Sequence, residues 1–294
     1  MSNKYAVIDI GSNSIRALFQ GDERKYSATT RLGTNLAHTG KLDTARAKLS
    51  LSAIASYVRE AKKRGLIPLA YATSAVRDAE NRDEFLELTK LYTGIDIDVL
   101  SGEREALYAH LGACSGKGGL MDIGGASMQL VSDSFKKSFP VGCVRGKDIA
   151  LELVKNETDA GNYSVQRTAL AGYLDGLLEP HLDKIKYACF APCTGVGGTI
   201  TTLCALSVDP NAASKKVGEG AVLTRDRLEA LIFALDRLGS GRAAIGILAV
   251  RHDVILYGAA LLARAMDVLM LDSVTSSLRD GLDGYLDAAI RGEL

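Results

Sequence analysis

The sequence lacks a net charge, because its 35 lysines and arginines balance 35 aspartates and glutamates. Nothing global therefore steers the chain toward nucleic acid or a membrane surface, and any anion site has to be basic locally. It also lacks a long apolar run at the N-terminus or elsewhere, so we expect a soluble, cytoplasmic protein. The length of 294 residues is comfortable for two domains of ordinary size.

Cysteine and histidine are scarce, and neither is spaced as metal ligands usually are. The five cysteines form no C-x-x-C pair, and their odd number speaks against a disulfide framework. Buried reduced thiols are the favoured interpretation, and a zinc site is a poor second. The four histidines show no ligand spacing, so the catalytic chemistry has to be sought among carboxylates, arginines and glycine-rich turns.

Strand-like and helix-like segments alternate along the chain, which predicts an α/β class. Residues 4–20 are typical of strand, tight turn and strand, and the same pattern begins again at residue 118. Further strands are expected at 66–73, 94–100 and in the stretch LMLDSVTSS. Helices are expected at 44–64, 79–92, 102–113, 164–179, 224–238 and 252–268.

Two similar turns lie 113 positions apart, DIGSNS from Asp9 to Ser14 and DIGGAS from Asp122 to Ser127. We interpret them as equivalent parts of two duplicated domains that face each other across a cleft. CSGKGG at 114–119 is the best linker candidate. The predicted domains are therefore residues 1–116 and residues 117–294, with the last helix free to pack back on the first.

Each turn combines glycines with a preceding aspartate. Glycines let backbone N–H groups approach an anion closely, whereas an aspartate alone would repel it. Mg²⁺ held by carboxylate and phosphate together removes this conflict, although one such turn could equally be structural. A third turn, Gly197, Gly198 and Thr199, stands where a strand meets a helix N-terminus; a close-packed strand–helix junction is the alternative interpretation there.

Many ordered segments resemble the Ppx/GppA family of exopolyphosphatases and guanosine pentaphosphate phosphohydrolases, and they span nearly the whole chain. They are AVIDIGSNSIRALF, RLGTNLAHTGKLD, YATSAVRDAENRDEFL, LSGEREALYAHLGA, MDIGGASMQLV, GCVR, GVGGTITTL, RHDVILYGAALL and SSLRDGL. This resemblance implies two ribonuclease-H-like domains of the actin, Hsp70 and sugar-kinase superfold. It also implies a short form, since longer members carry a C-terminal HD-type domain.

The resemblance implies a role for each matching residue. Glu105 matches the general base that activates water, although by sequence alone it could be a solvated helix carboxylate. Arg77 matches a phosphate-contacting catalytic arginine, and Arg16 and Arg145 are further phosphate candidates that could equally form surface ion pairs. The magnesium candidates are Asp9, Asp122 and the residue at position 129. The phosphate loops would be Gly11, Ser12, Asn13, Ser14, Gly124, Gly125 and Ser127, with Gly197, Gly198 and Thr199 completing the cleft.

The chain departs from the family pattern beside these residues. The second loop has Ala126, Met128 and Gln129 where the family has glycine, threonine and glutamate, and a glutamine cannot ionise. Arg104 precedes Glu105 where the family commonly has another glutamate. A cation there would, if close, favour the ionised form of Glu105 and weaken it as a base.

These residues predict a phosphohydrolase that removes a terminal phosphate from inorganic polyphosphate or pppGpp with the help of Mg²⁺. The alternative is a weakly active or inactive member that binds polyphosphate or a guanine nucleotide in a regulatory role. An ATP-dependent kinase of the same superfold is a third possibility. No nucleic acid or membrane partner is expected, and a homodimer is predicted because a short chain gives the cleft few walls.

Overall fold

Eleven strands in two sheets form the framework of the computed structural model, which describes residues 4–294. The first sheet contains β1 (Tyr5–Ile10), β2 (Ser14–Phe19), β3 (Tyr26–Thr29), β4 (Ile67–Ala72) and β5 (Ile97–Val99). The second contains β6 (Gly119–Ile123), β7 (Met128–Val131), β8 (Lys136–Phe139), β9 (Cys193–Val196), β10 (Val222–Thr224) and β11 (Ser273–Ser276).

The two sheets have the same strand order. The first runs β3-β2-β1-β4-β5, and the second, taken from its other edge, runs β8-β7-β6-β9-β11 with β10 added. In each, an antiparallel meander of three strands is followed by strands that pair in parallel. The prediction of an α/β fold with two related sheets is confirmed.

Twelve α-helices cover and connect the sheets within the described residues. They are α1 (Leu36–Thr39), α2 (Thr44–Lys63), α3 (Ser74–Arg77), α4 (Arg82–Thr93), α5 (Gly102–Cys114), α6 (Cys143–Val154), α7 (Tyr163–Leu178), α8 (Leu182–Tyr187), α9 (Gly197–Val208), α10 (Arg225–Arg237), α11 (Ile255–Val268) and α12 (Gly281–Arg291). Helix α2 illustrates how sequence signals set helix ends. The Asp43 side chain accepts a hydrogen bond from the Arg46 amide, and Gly65 beyond the last turn has φ of 69°.

Three elements beside the cleft did not emerge from the sequence pattern: the edge strands β3 and β8, and helix α6. Both strands are four residues long, and their sequences YSAT and KKSF contain few apolar positions. An edge strand exposes one side to solvent and needs no apolar alternation, so hydrophobic periodicity does not reveal it.

Helix α12 packs on α5 and on β1, although it lies at the far end of the chain. Its Leu282, Tyr285 and Leu286 join Val7 and Leu18 of the first sheet in one buried cluster. The two helices can approach closely because glycines face each other. A Cβ on Gly284 would lie 1.9 Å from the Tyr108 carbonyl oxygen. The division near residue 116 stays a prediction.

No helix within residues 4–294 combines the length and apolar character needed to cross a membrane.

Candidate active site

A cavity of about 770 Å³ lies between the two sheets, a size typical of ligand sites. It is lined by the turn after β1, the turn after β6 and the start of α9, so all three glycine-rich segments meet there. Glu105 at the start of α5 lines the same cavity. Residues that are distant in sequence therefore form one site.

The first two turns have the same hydrogen-bond geometry. The Gly11 amide donates to the Ser14 carbonyl at 3.2 Å, and the Gly124 amide donates to the Ser127 carbonyl at 3.0 Å. These two amides are therefore not free for an anion. The amides of Ser12, Asn13, Gly125 and Ala126 have no acceptor among the described residues, and such clusters of free N–H groups bind anions.

The two turns touch each other across the cavity. A Cβ on Gly125 would lie 3.0 Å from the Ser12 Cβ and 3.2 Å from the Asn13 nitrogen. The second turn is also fixed from behind, because the Val144 and Arg145 amides at the start of α6 donate to the Gly125 carbonyl. An anion between the turns would thus be held by both halves of the chain.

Glu105 is positioned by two donors. Arg77 Nη1 donates to Glu105 Oε2 at 3.1 Å, and the Ser127 hydroxyl donates to Glu105 Oε1 at 3.2 Å. The Glu105 side chain is 16% exposed. Burial raises its pKa above the usual range, and the Arg77 guanidinium opposes part of that increase. A half-buried carboxylate that opens on the cavity has the properties of a general base.

Arg77 and Arg145 are not among the described residues that line the cavity, although Arg77 contacts Glu105, which does. Arg77 contacts Glu105 and the Leu100 carbonyl, while Arg145 forms an ion pair with Asp78 at 2.8 Å. Asp78 also lies 3.4 Å from Arg77. The direct phosphate contacts predicted for both arginines stay predictions, and in this structure both guanidinium groups are paired with acidic neighbours.

Arg104 points away from Glu105. Its guanidinium forms two hydrogen bonds of 2.7 Å with Asp98 and lies over the Tyr108 ring. The expectation that Arg104 would weaken Glu105 as a base does not hold in this geometry, because its charge is already paired with Asp98.

Asp9 and Asp122 line the cavity in different electrostatic surroundings. Arg16, which was predicted to bind phosphate, forms ion pairs with both Asp9 and Asp280 in this structure. Asp9 Oδ1 is nevertheless buried without a hydrogen-bond partner. Asp122 forms no ion pair within residues 4–294, and burial together with nearby Asp280 raises its pKa to about 7.

Gln129 lines the cavity, and its amide nitrogen contacts two serines. Its amide nitrogen donates to Ser127 Oγ at 2.9 Å and to Ser138 Oγ at 3.1 Å, and the side chain is almost fully buried. Since Ser127 in turn donates to Glu105, Gln129 belongs to a hydrogen-bond chain that ends at Glu105. Within the described residues, no cluster of three or more His, Cys, Asp or Glu side chains could hold a metal.

The third turn lies against both a carboxylate and an arginine. Gly197 has φ of 79°, and a Cβ there would lie 2.2 Å from Asp122 Oδ1, so only glycine permits this approach. A Cβ on Gly198 would lie 2.4 Å from an Arg251 guanidinium nitrogen. Thr199 lines the cavity but is buried against Gly258 of α11.

Arg251, Lys215 and Asp280 are site residues that the sequence analysis missed. All three line the cavity. Arg251 begins the matching segment RHDVILYGAALL, and Asp280 lies in SSLRDGL, so the segments were noticed but not these side chains. Lys215 lies in SKKVGEG, where only the pair of lysines beside glycines offered a hint.

The comparisons with known proteins agree with this geometry. The model of the Ppx/GppA phosphatase family matches residues 15–286. Exopolyphosphatase 1 of Mycobacterium tuberculosis is 28% identical over 307 residues, covering 95% of this chain and 87% of that protein. The guanosine-5'-triphosphate,3'-diphosphate pyrophosphatase of Vibrio atlanticus is 29% identical over 308 residues, but the match covers 58% of its length and 95% of this chain.

A solved exopolyphosphatase-like protein superimposes with a TM-score of 0.88 at 24% identity, covering 99% of this chain and 100% of that one. With this coverage, the similarity extends over both sheets. The sequence match, the fold and the arrangement of the loops lead to one conclusion: the chain belongs to the Ppx/GppA phosphatase family.

Proposed function

We propose that the chain hydrolyses a terminal phosphoanhydride bond, with inorganic polyphosphate or pppGpp as substrate. The observation that carries this proposal is the position of Glu105. A half-buried carboxylate, oriented by two donors, opens on a cavity where two sets of free backbone amides converge. A protein that only binds phosphate has no need of an oriented carboxylate beside the anion site.

In this mechanism Glu105 takes a proton from water as the water oxygen attacks the terminal phosphorus. The bond to the bridging oxygen breaks, and the remaining chain leaves. The free amides of both turns and the Arg251 guanidinium stabilise charge on the equatorial oxygens. Arg77 and Ser127 hold the carboxylate in place.

The cavity has room for one Mg²⁺ held by few protein ligands. Asp122 is an unpaired carboxylate, and Asp9 Oδ1 is buried without a partner. Magnesium in phosphate sites commonly uses one or two carboxylates together with water and phosphate oxygens. Asp122 and Asp9 would hold the ion, which would neutralise charge on the bound phosphates. Gln129 could add only its neutral carbonyl oxygen, since its amide nitrogen donates to Ser127 and Ser138.

A variant that lacks the Asp122 charge tests the proposal that Asp122 holds Mg²⁺, and it needs no activity assay. The pKa of about 7 lies above that of the unfolded chain. As pH rises from about 4 to 7, ionisation of Asp122 therefore lowers the free energy of unfolding progressively. The total loss is on the order of 4 kcal/mol. Asp122→Asn is expected to raise the Tm of the metal-free protein at pH 8. Mg²⁺ should raise the Tm of the wild type and leave that of the variant unchanged; equal shifts in both would contradict the assignment.

The decisive assay is phosphate release from polyphosphate and from pppGpp in the presence of Mg²⁺, with Glu105→Gln as the matched variant. Loss of a general base is expected to lower kcat by about 10²–10⁴-fold with little change in binding. Binding of either substrate without release by the wild type would instead support the regulatory alternative. Formation of ADP from ATP and a cosubstrate would support a kinase. The cytoplasmic location and the homodimer remain part of the proposal, and sedimentation tests the latter.

A further inference from the structure

Asp253 is the centre of an ion-pair cluster that joins the two halves of the chain. Arg31 Nη1 and Nη2 donate to its two carboxylate oxygens at 3.0 Å each, and Lys147 Nζ donates to Oδ2 at 3.0 Å. None of the three residues is among the described residues that line the cavity. A two-point contact between guanidinium and carboxylate is stronger and more directional than an ordinary surface ion pair.

The backbone around Arg31 supports the first glycine turn. The amides of Thr30 and Arg31 donate to the Asn13 carbonyl at 3.2 and 2.9 Å, and the Gly33 amide donates to the Ser12 carbonyl at 2.8 Å. These bonds fix the carbonyl side of the turn, while the Ser12 and Asn13 amides keep no acceptor among the described residues. Arg31 therefore connects this turn directly with Asp253.

Arg31 adopts a left-handed backbone conformation, with φ of 54°. A residue with a Cβ is disfavoured there and persists only where its surroundings fix it. The side chain supplies such fixation, because it binds Asp253 twice and the Val250 carbonyl at 3.3 Å. Glycine would suit the backbone better, so the arginine side chain needs a reason beyond the shape of the turn.

The segment that Arg31 binds carries the Arg251 guanidinium. Val250 and Asp253, which Arg31 contacts, flank Arg251 in the sequence. Arg251 lines the cavity against Gly198 and has no acidic partner within residues 4–294. Asp253 lies only two residues away, but both of its oxygens already accept from Arg31. The ion pair thus holds this segment and leaves the Arg251 guanidinium available to an anion.

Lys147 connects the same carboxylate with the second glycine turn. Lys147 lies on α6, and the Val144 and Arg145 amides at the start of α6 donate to the Gly125 carbonyl. Asp253 is therefore linked to the second turn through α6 and to the first turn through Arg31. The parts of the candidate site that would contact phosphate share one junction outside the cavity lining.

We propose, resting on the proposed hydrolysis, that Arg31 is a positioning residue, which through Asp253 fixes the Arg251 guanidinium relative to the first glycine turn. The amides of this turn and the guanidinium then contact the same terminal phosphate. Arg31 itself does not touch the phosphate. A displacement of about 1 Å in such a group costs about 10²-fold in rate, so the ion pair sets the strength of phosphate binding and the rate of hydrolysis.

Arg31→Gly removes the ion pair and retains the turn, because glycine accepts a φ of 54° and keeps the backbone amide. Calorimetric titration with inorganic phosphate should show a Kd about tenfold above that of the wild type, as for a lost hydrogen bond to a charged group. Asp253→Asn should act in the same direction. Met270→Gly is the matched control and should leave the Kd unchanged, since Met270 has φ of 52° and is 81% exposed.

The effect has to pass through Arg251. Arg251→Ala should weaken phosphate binding, and Arg31→Gly should weaken it no further in that background. Additive losses, or an unchanged Kd in Arg31→Gly, would overturn the positioning role. In phosphate release, Arg31→Gly should lower kcat about 10–100-fold. A wild type that binds phosphate but hydrolyses neither polyphosphate nor pppGpp would refute the proposed function alone, and the binding cycle would then decide the role of Arg31. Failure of the wild type to bind phosphate would refute both.

Discussion

Gln129 occupies the centre of the hydrogen-bond chain that reaches the base. An ionised Glu105 can only accept, so the single hydroxyl proton of Ser127 must point toward it. The Ser127 oxygen must then accept from Gln129, whose amide nitrogen donates to it, whereas an ionised glutamate at this position could not donate. The uncharged residue thus suits the geometry of this chain, and we propose that it positions Ser127; its predicted part in metal binding stays a prediction.

A double-mutant cycle tests this role. Gln129→Leu is expected to lower kcat about tenfold and to leave KM nearly unchanged, because the orientation of Glu105 is lost. In a Ser127→Ala background the same substitution should have no further effect on kcat. Ser138→Ala, which removes the other partner of Gln129, is the matched control and should retain activity. Additive effects of Gln129→Leu and Ser127→Ala would contradict the proposed chain.

Arg77 controls the ionisation of Glu105 in the same site. Burial raises the pKa of Glu105, and the Arg77 guanidinium lowers it. A base must be ionised, so activity is lost as pH falls through the pKa of Glu105. Arg77→Gln removes the lowering charge, and we expect the acidic limb of the pH–rate profile to move to higher pH. The profile of kcat against pH measures this, and a downward or absent shift would disprove the coupling.

At the scale of elements, the contact between α5 and α12 stabilises the fold and also positions residues of the candidate site. Helix α5 carries Glu105, and Asp280 caps α12 while it holds Arg16. Glycines allow the crossing, because a Cβ on Gly112 would lie 2.0 Å from the Asp280 carbonyl oxygen. Any side chain at this contact pushes the two helices apart and displaces both site residues.

Gly284→Ala is therefore expected to lower the free energy of unfolding by about 1–3 kcal/mol and to reduce kcat as well. Urea unfolding and phosphate release measure the two effects. Gly172→Ala is the matched control, since its added Cβ would meet nothing within 4 Å. There alanine should stabilise helix α7 by up to about 1 kcal/mol. Equal stability of the wild type and Gly284→Ala would refute the tight crossing.

At the scale of the whole molecule, helix α12 contributes buried side chains to the core that covers the first sheet. Leu282 is fully buried in the cluster that contains Val7 and Leu18. Ion pairs also join the halves, since Asp253 pairs with Arg31 at 3.0 Å. The first half is therefore stabilised by residues that lie far beyond the predicted boundary at residue 116.

Leu282→Ala should lower the free energy of unfolding by about 2–5 kcal/mol because a cavity opens in this shared core. Hydrogen exchange should accelerate at amides of β1 and β2, more than 260 positions earlier in the chain. Ile290→Ala on the same helix is the control, since Ile290 is 50% exposed. Faster exchange confined to α12 would show that the helix is only an appendage.

The sequence alone determined the features that depend on neighbours along the chain. The two D-I-G turns, the ends of α2 and the alternation of strands and helices follow from local backbone chemistry, and so did the recognition of the family. Tertiary structure decided which charges are paired. Arg16 is held by Asp280 across 264 positions, Arg104 pairs with Asp98, and Arg251 and Lys215 line the cavity with no acidic partner within residues 4–294. An ion pair forms between side chains that the fold brings within a few ångströms, so sequence spacing could not predict these roles.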